Sequence, residues 1–92
     1  MTDIVRKRIA FSGAVQGVGF RYRARYAAAA VGATGWVRNE EDGSVLMEIQ
    51  GTEDQIDRVI GMIERGAYVR VEGMEARSIP PEENERGFFT DW

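Results

Sequence analysis

The apolar spacing of this 92-residue chain predicts an α+β sandwich, two helices packed on one face of a mostly antiparallel sheet. Three observations point there. Some segments place an apolar residue at every second position, and two others place one at every third or fourth. The segments alternate as β-α-β-β-α-β, with one more short strand at the end. At 10.3 kDa the chain can build one core and no more, so residues 1–92 are expected to form a single domain.

Ile9, Phe11 and Gly13 alternate with Arg8, Ala10 and Ser12, the pattern of a half-buried strand over residues 4–14. From Phe20 the spacing changes: Ala24, Ala27, Ala28 and Val31 fall on its face of a helix, and Gly32 supplies the stop. Residues 35–39 and 45–50 form two strands, with Val45, Met47 and Ile49 facing one way and Asp42-Gly43 as the hairpin turn. Thr52 with Gln55 three residues on makes a capping box, and Ile56, Val59, Ile60 and Ile63 trace a second helix ending at Gly66. Residues 69–79 form a strand whose apolar phase shifts at Gly73, which predicts a bulge there. Pro80-Pro81 ends it, the acidic stretch 82–86 is expected to be a solvated loop, and residues 87–92 a short terminal strand. This order is the split βαβ, ferredoxin-like arrangement. Its right-handed crossover makes the first two strands parallel, so the loop 15–20 and Asn39 emerge at the same edge of the sheet.

The chain has no histidine and no cysteine, which removes imidazole bases, thiolate nucleophiles, disulfides and zinc fingers. Chemistry is left to carboxylates, amides, hydroxyls, guanidinium groups and backbone. No apolar run approaches the roughly 20 residues that span a bilayer, and residues 1–20 lack a signal peptide's apolar core. A cytoplasmic protein without a membrane partner is expected. The net charge of −3 conceals an asymmetry, with +6 on residues 1–39 and −9 on residues 40–92. Overall acidity argues against nonspecific nucleic-acid binding, whereas the local positive cluster suits a small anion.

Between the first strand and the first helix lies Gly13-Ala14-Val15-Gln16-Gly17-Val18-Gly19-Phe20-Arg21. The glycines allow the amides of Val15, Gln16, Gly17, Val18, Gly19 and Phe20 to converge beside the positive end of the helix, as a cradle for an anion. No Lys-Ser/Thr follows, and Tyr22 stands where a dinucleotide fingerprint requires its third glycine, so ATP and NAD drop out. Arg21 is a cation in the first helical turn, where it opposes the helix dipole, and no acid lies between Asp3 and Glu40. A bound phosphate would relieve that conflict through the planar fork of the guanidinium. The residues alone leave alternatives open: Arg21 facing solvent or paired with a carboxylate, and Asn39 as a strand-end residue bonded to local backbone. Gln16 is expected to face solvent, Arg23 and Arg25 to form a solvated face, and Tyr22, Tyr26 and Trp36 to pack.

Taken with Gly35-Trp36-Val37-Arg38-Asn39-Glu40-Glu41-Asp42-Gly43-Ser44-Val45, that block resembles the two signature blocks of the acylphosphatase family, in order and across the whole chain. The resemblance implies an enzyme that cleaves the carboxyl–phosphate anhydride of a small-molecule acyl phosphate without metal or cofactor. The products would be a carboxylate and inorganic phosphate, the latter also an inhibitor. The family's phosphate-binding arginine maps onto Arg21 and its water-orienting asparagine onto Asn39. Ala14 departs from the pattern, standing where many members carry a basic residue. A monomer is expected, and the acyl group is left open. Two other readings remain: a catalytically silent anion-binding or regulatory domain, and an RNA-recognition module of the same strand order. The second lacks stacking aromatics in Val45-Leu46-Met47-Glu48-Ile49-Gln50 and sits on a chain of pI about 4.9.

Overall fold

A computed structural model describes residues 3–91. Along the chain run β1 (Val5–Ala14), α1 (Phe20–Val31), β2 (Thr34–Asn39), β3 (Val45–Gly51), α2 (Glu53–Glu64), β4 (Arg70–Ile79) and β5 (Phe88–Thr90). The order is the expected one, with element ends shifted by a residue or so. Trp92, expected in the terminal strand, lies outside the described residues. The sheet order is β4-β1-β3-β2-β5. β3 runs antiparallel to both β1 and β2, so those two are parallel to each other with β3 between them. β4 is antiparallel to β1, and β5 lies parallel to β2 with Gly35 opposite Phe88.

Strand alternation turns Ile9, Phe11, Val37, Val45, Met47 and Ile49 toward the helices, where they meet Phe20, Ala24, Ala27 and Ala28 of α1 and Ile56, Val59 and Ile63 of α2. Burial of each larger aliphatic side chain contributes about 1.5–3 kcal/mol. The alanines of α1 keep the packed face narrow. α2 opens on the expected capping box: the Gln55 amide donates to Thr52 Oγ1 at 3.1 Å, and the Thr52 amide donates to Gln55 Oε1 at 2.7 Å. The same Gln55 side chain donates to the Val31 carbonyl at 2.8 Å, so one residue starts α2 and holds the end of α1.

Two expectations are corrected. The bulge falls at Glu72, one residue before Gly73: Ser12 pairs with Gly73 and Gly13 with Val71, leaving Glu72 unmatched. The backbone closes up on the other strand as well, where Gly13 has φ 116° and an added Cβ would meet the Arg70 carbonyl oxygen. The acidic stretch 82–86 is not simply solvated. Arg6, 2% exposed, donates to both oxygens of Glu85 at 2.7 and 3.1 Å, to Glu48 at 3.0 Å and to Gln50 at 3.1 Å. Gln50 in turn accepts from the Glu82 amide and donates to its carbonyl. Burial works against the Arg6 charge, but the hydrogen bonds and charges of Glu85 and Glu48 overcome it and raise its pKa above the ordinary value. A buried guanidinium requires counter-charges, and the loop after β4 supplies one.

Candidate active site

β1 stops at Ala14, and the chain crosses to α1 through a loop that alternates anchors with bends. Val15 and Phe20 are fully buried and Val18 packs against the same core. Gly17 and Gly19, exposed between them, have φ 71° and 82°. An added Cβ would meet nothing within 4 Å at either position, so left-handed backbone rather than space selects glycine here. Phe20 meets Phe11 of β1 edge-on at 4.9 Å between ring centres, which seats the first residue of the helix on the sheet.

The two helix starts differ. α2 has its capping box and two acids, Glu53 and Asp54, in the first turn. α1 begins at Gly19 in left-handed conformation, has no acid in its first turn and, among the described residues, no side chain capping it. No acid within that first turn offsets the partial positive charge of the helix end. Arg21, half-buried, adds a full charge.

Asn39 ends β2 two residues after Val37, and alternation puts it on the helix side of the sheet. There it joins Val15, Gly17, Gly19, Phe20, Arg21 and Tyr22 around a hollow of about 160 Å³. Arg21 and Asn39 therefore open into one space, although 18 positions separate them in sequence. The hairpin that carries Asn39 is braced locally. The Glu40 amide donates to the Ser44 carbonyl at 2.9 Å, and the Ser44 hydroxyl and amide donate to Asp42 Oδ1 at 2.6 and 2.9 Å. Those bonds hold the Asp42 carboxyl below its ordinary pKa, the Ser44 hydroxyl contributing most.

The acylphosphatase family model matches residues 7–90. The chain belongs to the acylphosphatase family. It is 40% identical to an acylphosphatase of Roseiflexus sp. (strain RS-1) over the full length of both chains. It is 43% identical to an acylphosphatase of Oceanobacillus iheyensis over 78% of this chain and 81% of that one. Among solved structures, the acylphosphatase from Bacillus subtilis superposes with a TM-score of 0.86 at 28% identity, covering 96% of this chain and 99% of that one.

In this acylphosphatase-family chain the six loop residues expected to form a cradle fall into two groups. Val15, Gly17, Gly19 and Phe20 line the hollow, whereas the side chains of Gln16 and Val18 go elsewhere. Gln16 does not face solvent: its Nε2 donates to the carbonyl oxygens of Glu40 and Ser44 at 2.7 and 2.8 Å, tying the cradle to the Asn39 hairpin. Arg23 is also not merely solvated, because its Nε and Nη2 donate to the Met62 carbonyl near the end of α2. Tyr22 and Tyr26 do not pack inside; they are 74% and 65% exposed. The signal for that was present, since Tyr22 follows Phe20 by two residues, roughly 200° around a helix whose apolar face is set by Phe20 and Ala24. Trp36 lies on the opposite face of the sheet between the guanidinium groups of Arg8 and Arg38, at 6.0 and 5.1 Å.

Proposed function

We propose that this chain hydrolyses acyl phosphates, with Arg21 and the amides of residues 15–20 holding the phosphoryl group and Asn39 orienting the attacking water. The observation that carries the proposal is the shared hollow of Arg21 and Asn39 at the uncapped start of α1. An acyl phosphate has a stabilised carboxylate as leaving group, so its cleavage depends on positioning and charge neutralisation more than on a strong base. Water oxygen bonds to phosphorus, the bond to the acyl oxygen breaks, the carboxylate departs, and the proton of the water passes to a phosphoryl oxygen. Among the described residues, those lining the hollow carry no carboxylate or imidazole, in keeping with that proton route. The neutral amide of Asn39 offers an acceptor to the water without repelling the phosphoryl charge.

The same proposal makes the chain a single-domain, monomeric protein of the cytoplasm that its product phosphate inhibits. The continuous core shared by the sheet and both helices supports the single domain. The deciding experiment is release of inorganic phosphate from acetyl phosphate by the purified protein in the presence of a chelator. Turnover above the buffer rate supports the proposal; a rate equal to buffer overturns it. Phosphate itself should raise Tm by mass action, in proportion to its occupancy of the cradle.

A further inference from the structure

We infer that Arg38 is a positioning residue: from the far face of the sheet it holds the strand end that carries Asn39. The inference rests on the phosphatase proposal above, in which Asn39 orients the attacking water, and it names a further residue on which that step depends. Strand alternation sends the side chains of Arg38 and Asn39 to opposite faces of β2, so Arg38 acts on Asn39 through the backbone. That backbone is secured unevenly. On the β3 side the ladder runs to the strand end, with Asn39 paired to Val45 and the Glu40 amide donating to the Ser44 carbonyl at 2.9 Å. On the β5 side the register ends where Val37 meets Thr90, and among the described residues the last bond is from the Asp91 amide to the Val37 carbonyl, at 2.8 Å. Asn39 lies two residues beyond that final rung.

Arg38 spans the interval. Its Nη1 lies 3.7 Å from Asp91 Oδ2, while its Nε and Nη2 lie 3.4 and 3.5 Å from the two carboxylate oxygens of Glu40. One guanidinium thereby joins the residue after Asn39 to the end of β5. The guanidinium is itself held in place: its central carbon lies 5.1 Å from the centre of the Trp36 ring, and Trp36 stands opposite Phe89 of β5. Among the described residues nothing hydrogen-bonds to the buried Nε, so the charges of Glu40 and Asp91 are what offset its loss of water. Ion pairs this exposed contribute little to global stability. A misplacement of about 1 Å at a reacting centre, by contrast, lowers the rate by up to about 10²-fold. The consequence of losing Arg38 therefore falls on turnover more than on the fold.

Steady-state hydrolysis of acetyl phosphate, phosphate binding by calorimetry and Tm are compared for the unaltered protein, Arg38→Met, Arg38→Lys and Asp91→Asn. Arg38→Met keeps an apolar stem beside Trp36 and removes the charge. It should lower kcat about tenfold and leave KM and phosphate affinity within about twofold. Arg38→Lys, which returns a cation to the two carboxylates, should recover most of the lost kcat. Asp91→Asn should lower kcat about threefold and cause no further loss when added to Arg38→Met. The two substitutions remove opposite charges, so a change of field at the anion site would move phosphate affinity in opposite directions, whereas loss of positioning lowers kcat in both. An unchanged kcat in Arg38→Met, a loss confined to phosphate affinity, or opposite effects of the two variants overturns the positioning role while the phosphatase proposal stands. So does a fall in kcat matched by Glu85→Gln, a variant remote from the site, at the same fall in Tm. If the unaltered protein releases no phosphate from acetyl phosphate above the buffer rate, the phosphatase proposal fails and the role of Arg38 falls with it.

Discussion

Gln16 and Glu40 are joined across the mouth of the site: the Gln16 carboxamide donates to the Glu40 carbonyl at 2.7 Å and, with its second proton, to Ser44 at 2.8 Å. One side chain thereby ties the 15–20 loop to the strand end that carries Asn39. Both carbonyls have a second donor, Gly43 for Glu40 and Glu40 for Ser44, so removing Gln16 leaves neither oxygen unpaired. Gln16→Ala should cost about 1–2 kcal/mol of stability and roughly tenfold in kcat, through looser positioning of the water. Phosphate affinity should change much less. A variant with full kcat would show that the bridge has no part in alignment.

Arg21 and Asn39 are assigned different tasks, and calorimetry with inorganic phosphate can separate them. Arg21→Gln should abolish measurable phosphate binding and lower kcat/KM by roughly 10²–10³. Asn39→Ala should bind phosphate nearly as well while losing turnover, and Asn39→Asp should do worse in both respects because a carboxylate repels the anion. Equal loss of binding in the Arg21 and Asn39 variants would rule out the division of roles.

Glu85 should matter to stability and not to the site. Arg6 is buried, and loss of the Glu85 charge leaves it with Glu48 and Gln50 alone. Glu85→Gln should cost about 1.5–3 kcal/mol, a fall in Tm of roughly 10 °C for a domain of this size. Arg6→Met combined with Glu85→Gln should recover part of that loss, since no buried charge then remains unpaired. Urea unfolding checks both; an unchanged midpoint in the single variant would show that the loop contact contributes nothing.

The hairpin turn predicts a pH effect through Asp42. Its folded pKa lies below the unfolded value, so the contribution to stability is present above about pH 4 and is lost as pH falls through the folded value. Asp42→Asn keeps an acceptor for Ser44 but not the charge. The difference in urea midpoint between the two proteins should be largest near about pH 6 and shrink as the pH drops below about 4. A difference that stays constant over that interval would remove Asp42 from the acid response.

Much of the fold was legible because its signals are periodic or local: the alternation in β1 and β3, the alanine stripe of α1, the Thr52–Gln55 box and the Asp42-Gly43 turn all lie within a few residues. Both blocks of the site were legible for the same reason. Gln16 was not, because a side chain bonded to backbone 24 and 28 positions away leaves no pattern in its own neighbourhood. Arg6 escaped notice because it occupies the polar phase of β1, and alternation cannot tell a charge facing water from one covered by a distant loop. The bulge was displaced by one residue because Gly73 marks the break in apolar phase, while the register is set by the approach of Gly13 on the neighbouring strand.

The placement of β3 between β1 and β2 has a geometric corollary. The strand leading to the cradle and the strand ending in Asn39 are held two ladder steps apart, about 9–10 Å. Hydrogen-bonded rungs act as a ruler, and its gradations cannot be stretched without breaking whole rows of peptide bonding. Substitutions can therefore vary the side chains around the hollow, but the breadth between the strand that leads into the 15–20 loop and the strand that ends in Asn39 is a lattice constant of the sheet.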